Sequence, residues 1–158
     1  MESQTIAAAQ SARASWMSLL AKAPRPVLIE AVNQYTRQYG LLPAYTWLRR
    51  PEIGLAMVRA RTGGTGQQFN LGEMSLTRCA LRLSSGQMGV SYVAGRDAQH
   101  AEWAAVFDAL MQSDIAEQIE QMILVPIRHA LDAQRALAEA RAAVTKVDFM
   151  TMVRGENE

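Results

Sequence analysis

Apolar residues recur at helical spacing in both outer parts of this chain and alternate at strand spacing in its middle. Over residues 5–21 the series Ile6, Ala9, Arg13, Trp16, Leu19 and Leu20 predicts a helix with a thin apolar stripe. Pro24 and Pro26 break it. A second helix is predicted over residues 27–39, where Leu28, Val32, Tyr35 and Tyr39 stand three and four apart and Gly40 suits a helix C-cap. Residues 41–52 contain Pro43 and Pro51 and read as a connector, with Trp47 and Leu48 available to anchor it on the core.

The period then changes. Residues 53–61 read as a strand, a glycine-rich loop follows, and residues 74–83 read as a second strand. The apolar phase of that strand runs Met74, Leu76, then Cys79, Leu81, Leu83, and the slip near Thr77 and Arg78 fits either a bulge or burial on both faces. Ser84, Ser85 and Gly86 make a turn. Residues 87–94 form a third strand with Met88, Val90 and Tyr92 alternating, which completes an antiparallel meander.

Helical spacing returns over residues 98–112, where Asp97 suits the N-cap and Trp103, Val106, Phe107 and Leu110 mark a buried face. Asp114 is placed to cap a further helix carrying Ile115, Ile119, Met122 and Ile123. Pro126 should kink it, because its ring conflicts with the carbonyl of Met122. A long helix is expected over 127–144, with Arg135 and Glu139 one turn apart, and 147–153 reads as a last strand or extended tail. The order of elements gives an α+β protein: N-terminal helices, a small antiparallel sheet, two or three helices and an extended C-terminal segment.

Composition narrows the functions. A formal net charge of +1 gives no global reason to bind nucleic acid or an anionic membrane. A single cysteine excludes an internal disulfide and fits a reducing compartment. No run approaches the roughly 20 apolar residues of a membrane span, and the polar, alanine-rich start lacks a signal-peptide pattern, so a soluble cytoplasmic protein is expected. The hydrophobic fraction of 49% includes 26 alanines, which favour helix but bury little area each. Long alanine-rich helices with a modest core either stand in solvent or complete their burial against partner subunits.

The candidate chemistry centres on Arg61-Thr62-Gly63-Gly64-Thr65-Gly66. Gly63, Gly64 and Gly66 can place backbone amides close to a phosphate or a partner carbonyl. The loop lacks the lysine and hydroxyl of a Walker A motif and the spacing of a dinucleotide fingerprint, and a plain hairpin connection explains it equally. Arg59 and Arg61 alternate onto one face of the first strand, and Arg78 and Arg82 onto one face of the second. If the strands pair, four guanidinium groups gather near the glycine loop, suited to phosphate, carboxylate or an acidic partner. His100, near a helix start and expected to be exposed, and His129 have no companions at metal-ligand spacing, so no metal site is expected. Cys79 lies in a strand and reads as a small apolar residue. Glu73 is a lone carboxylate and does not make an acid/base pair.

The ordered series Trp47-Leu48-Arg49, Pro51-Glu52, Met57-Val58-Arg59-Ala60-Arg61, Gly63-Gly64-Thr65-Gly66, Phe69-Asn70-Leu71-Gly72-Glu73, Thr77-Arg78-Cys79 and Tyr92-Val93-Ala94-Gly95-Arg96-Asp97 resembles the PhnG family, as does the closing Phe149-Met150-Thr151-Met152-Val153-Arg154-Gly155. These are subunits of the bacterial carbon–phosphorus lyase core complex. The resemblance implies one PhnG-like domain over 1–158, with a helical region 1–40, a sheet 53–94, a helical region 97–145 and a tail 146–158.

It also implies partners of the PhnI, PhnH, PhnJ and PhnL types in a hetero-oligomer without nucleic acid or membrane. The implied reaction is displacement of adenine from MgATP by a phosphonate, giving an α-D-ribose 1-phosphonate 5-triphosphate. MgATP is then the substrate of the complex, and no cofactor is expected on this chain alone. Radical cleavage of the carbon–phosphorus bond belongs to the PhnJ type, whose cluster needs a set of thiolates that one cysteine cannot supply. The implied role is a non-catalytic or accessory subunit. The alternatives are that Arg59, Arg61, Arg78 or the glycine-loop amides reach a shared nucleotide site, or that the chain is a stand-alone nucleotide-binding enzyme.

Overall fold

A computed structural model describes residues 2–145, with side chains from Gln10 onward. The closing segment 147–153, the motif 149–155 and the tail 146–158 lie outside the described residues. Two helices open the chain, α1 (Glu2–Lys22) and α2 (Arg25–Tyr39). Three strands follow, β1 (Tyr45–Arg61), β2 (Gln68–Leu83) and β3 (Met88–Ala94), in the antiparallel order β1-β2-β3. Then come α3 (Ala98–Leu110), the short α4 (Ala116–Ile119) and α5 (Val125–Val144), so the expected α+β class holds.

The core forms where α3 lies between the sheet and the other helices. Cys79, Leu81, Leu83 and Val93 face it from the sheet, Val106 and Phe107 from α3, and Leu20, Leu28 and Tyr35 from α1 and α2. Tyr35 meets Phe107 edge-on at 6.1 Å, a favoured arrangement of ring quadrupoles. Trp103 is only half-buried, yet α3 is buried on nearly all sides because it has packed neighbours on both.

Two details of the sheet depart from expectation. In β3 the phase is inverted: Gly89, Ser91 and Val93 are buried while Met88 and Tyr92 are exposed. The cause is close approach of α3. A Cβ on Gly89 would stand 1.8 Å from the carbonyl oxygen of Ala105, so only glycine fits there. Ser91 is buried because its hydroxyl donates to the Ala101 carbonyl at 2.6 Å. In β2 the slip at Thr77 is no bulge, since pairing with β3 is continuous from Leu76 to Arg82. Thr77 takes a core position by donating its hydroxyl to the Gly95 carbonyl at 2.7 Å.

The residues expected as a connector are strand. β1 begins at Tyr45 and tolerates Pro51 because it is an edge strand whose register shifts on both sides of Arg49. Trp47 packs on the core there, whereas Leu48 is exposed.

Among the helices, Gly40 closes α2 as expected, with φ 88° and its N–H on the Thr36 carbonyl at 2.9 Å. Asp97 caps α3, accepting from the His100 N–H at 3.0 Å. Asp114 does not cap α4, whose first turn has no side-chain cap. Pro126 is accommodated by a wider π-helical turn, Glu120–Leu124, in which the Val125 N–H reaches back to Glu120. The Arg135–Glu139 pair does not form, and Arg128 instead lies 3.6 Å from Glu120 across that turn.

Candidate functional site

The sheet is much longer than the layer of helices that covers it. β3 pairs only with residues 76–82 of β2, so past Ile53 and Leu55 residues 56–61 of β1 and 68–74 of β2 run on as a two-stranded arm, bonded to each other alone. Such ribbons are marginal in water unless a third element packs on them. Here the side chains are apolar but uncovered: Ile53, Leu55, Met57 and Leu71 are between 51% and 67% exposed, and Phe69 and Met74 are exposed as well. An exposed apolar surface of this kind on an ordered element marks an interaction site.

Cross-strand pairing fixes which residues share a face. Ile53 stands opposite Thr77, Leu55 opposite Ser75 and Met57 opposite Glu73, so these belong to the helix-covered face of the sheet, prolonged beyond the helices. Arg59 and Arg61 continue that row opposite Asn70 and Gln68. Arg78 is opposite Glu52 on the other face, and Arg82 lies on that face too, two alternations further along β2. At about 3.3 Å per residue, the arm carries Arg61 roughly 30 Å from the Glu52–Arg78 pair. The structure therefore does not gather the four guanidinium groups that strand pairing alone allowed. Arg78 donates to Glu52 at 2.6 Å, and Arg49 bonds the same carboxylate. Those two bonds, Arg49's first, hold the Glu52 carboxyl below the usual range.

At the tip the glycines make a compact turn. Gly63 and Gly64 adopt left-handed φ values of 58° and 81°, and a Cβ on Gly66 would meet the Thr62 carbonyl oxygen at 2.6 Å. The Gly66 N–H is already bonded to Thr62 at 2.8 Å, and its carbonyl accepts from Arg61 at 3.2 Å. Hairpin geometry thus accounts for Gly66 and occupies Arg61. Beside the tip, Arg59, Gln68, Phe69 and Asn70 line an open recess of about 350 Å³. Of the residues expected at a site, Arg59, Arg61, Gly63, Gly64 and Gly66 lie at this end, and Arg78 does not join them.

The remaining candidates are structural. Cys79 is buried, and burial first, then the Glu102 charge, pushes its thiol up to about 11, so it stays protonated. His100 is buried rather than exposed, with Nε2 2.7 Å from the Leu20 carbonyl at the end of α1. His129 is exposed on α5. Among the described residues no group of three or more His, Cys, Asp or Glu side chains comes together.

Sequence reasoning missed Asp108, although an acid inside the apolar run Ala104-Ala105-Val106-Phe107-Asp108-Ala109-Leu110 was the visible signal. Its buried carboxylate accepts from Arg13 at 2.7 and 3.2 Å, Trp16 at 2.8 Å and the Val90 N–H at 2.9 Å, tying α1 and β3 to α3.

Fold and surface together define a small α+β protein whose sheet continues into an ordered arm with exposed apolar side chains. The family model of the phosphonate metabolism protein PhnG matches residues 11–155, and the chain belongs to that family. A curated relative, the alpha-D-ribose 1-methylphosphonate 5-triphosphate synthase subunit PhnG of Rhizobium meliloti (strain 1021), is 42% identical over 115 residues, covering 73% of this chain and 74% of that protein.

Proposed function

We propose that this chain is a non-catalytic subunit of a transferase complex in phosphonate catabolism, one that displaces adenine from MgATP with a phosphonate to give an α-D-ribose 1-phosphonate 5-triphosphate. The named relative is a subunit of a synthase of that type, which supports the reaction class. The observation that carries the subunit role is the arm: Ile53, Leu55, Met57 and Leu71 present apolar surface that nothing in the described chain covers. The distal part of α5, where Leu137 and Val144 are exposed, offers a second such surface. A PhnI-type subunit is the partner on which we place the arm, with PhnH-, PhnJ- and PhnL-type components completing the assembly.

The test is to express the chain alone and together with a PhnI-type subunit. The assembly role predicts self-association or poor solubility alone, rescued by co-expression. A stable monomer indifferent to that subunit contradicts it. Adenine release from MgATP should require the assembled complex and be absent from the purified chain, which separates this role from a stand-alone enzyme.

One observation favours a second reading, in which the arm tip also reaches the nucleotide. Arg59 stands in the recess beside Gln68 and Asn70, free of any acidic partner among the described residues, so its guanidinium can meet a phosphate in a partner's site. Arg78 is a poorer candidate because Glu52 already holds it. On this reading Arg59→Ala leaves the complex assembled and slows adenine release by about tenfold or more, the loss of one charge-assisted contact. Unchanged turnover by the intact variant complex removes the reading.

A further inference from the structure

The two edges of the sheet are treated differently. Along β3 the outward groups near the strand start are taken by side chains: Arg13 and Gln112 donate to the Met88 carbonyl at 3.0 and 2.8 Å, and Asp108 accepts the Val90 N–H. β1 is protected only in its first part, where register shifts around Arg49 and the missing N–H of Pro51 spoil a template. From residue 52 to 61 the strand runs without an extra residue of its own, and among the described residues only β2 bonds its backbone. The other free edge of the arm, on β2, is less suited to pairing. An extra residue, Leu71, bulges it between Asn70 and Gly72, and Gly95 already takes the Ser75 carbonyl at 2.8 Å.

We propose that the outer edge of β1 over residues 52–61 receives an extended segment of the partner subunit as a fourth strand. This rests on the assembly role above and specifies how the arm is recognised. Unpaired backbone groups supply the ladder, and alternating side chains supply selectivity. The incoming segment carries apolar residues beside Ile53, Leu55 and Met57 and carboxylates beside Arg59 and Arg61. Those two arginines have no acidic partner among the described residues, whereas opposite charges across adjacent strands stabilise pairing. A second copy of this chain fits worse. Antiparallel self-pairing about Met57 sets Arg59 and Arg61 beside Leu55 and Ile53, and the nearby Glu52 is already shared by Arg49 and Arg78.

The test compares amide exchange in the free chain and in the complex co-purified with a PhnI-type subunit. Alternate amides of residues 52–61, which face away from β2, should exchange freely in the first and slow by roughly tenfold or more in the second. Leu55→Pro and Ala56→Pro provide the companion measurement. One of these two positions directs its N–H outward, so that variant keeps the β2 ladder and should still lose the partner. Retention of the partner by both proline variants, with edge amides still fast, overturns strand addition. If Leu55→Asp nevertheless loses the partner, docking through arm side chains survives without the added strand. If Leu55→Asp also keeps it, the assembly role of the arm fails with it. Protection of the edge in the free chain together with a dimer mass overturns the hetero-partner assignment in favour of self-pairing.

Discussion

Asp108 shows how one side chain can hold three elements. Its carboxylate is fully buried and accepts from four donors on α1 and β3. Asp108→Ala leaves the Trp16 and Val90 N–H groups unpaired and Arg13 without its counter-charge, and should cost about 3 kcal/mol, read from the urea midpoint. Gly89→Ala should cost a similar amount, roughly 3 kcal/mol, because its methyl collides with the Ala105 carbonyl. Cys79 gives a pH signature. Its folded thiol titrates at about 11, raised by burial, while the unfolded thiol titrates near about 8.5. Its stabilising contribution is therefore complete below the unfolded value and lost as pH rises through that window. Denaturant melts should show stability declining over that alkaline range, and Cys79→Ala should flatten the decline. Tyr45, raised to about 12 by burial and then by its bond to Glu102, adds the same sign at higher pH.

At the scale of elements, the arm separates binding from stability. Leu55→Asp, opposite Ser75, and Met57→Lys, opposite Glu73, remove no core contact and add no like-charge pair, so each should change the urea midpoint by the equivalent of about 0.5 kcal/mol or less, as exposed positions do. Both should nevertheless abolish co-purification. Much of the fold was legible because its signals were local. Pro24, Gly40, Asp97 and the return of helical spacing after it bounded helices that the structure contains. What escaped were features set by tertiary neighbours. The inverted phase of β3 depends on a helix that needs Gly89 and Ser91 beneath it, and apolar alternation at Met88 and Tyr92 pointed the other way. Residues 45–52 and 68–73 became strand because each pairs with the other strand of one long hairpin, which overrides Pro51 and Gly72. The glycine tip was legible as a hairpin. The separation of Arg78 from Arg59 was not, because it depends on register and on the bulge at Leu71.

The whole molecule reads as a compact helical layer on a sheet that continues beyond it. The PhnG family and the covered core give the first part its meaning, and the uncovered arm gives the second. No described helix is long and apolar enough to cross a membrane. The docking role of the arm is tested by one measurement: the mass of the species eluted when this chain, unaltered or carrying Leu55→Asp, is co-expressed with a PhnI-type subunit. The unaltered chain should elute in a heteromeric complex, while the folded variant elutes apart from that subunit. Equal incorporation of the two chains would contradict the assignment of the arm as the docking element.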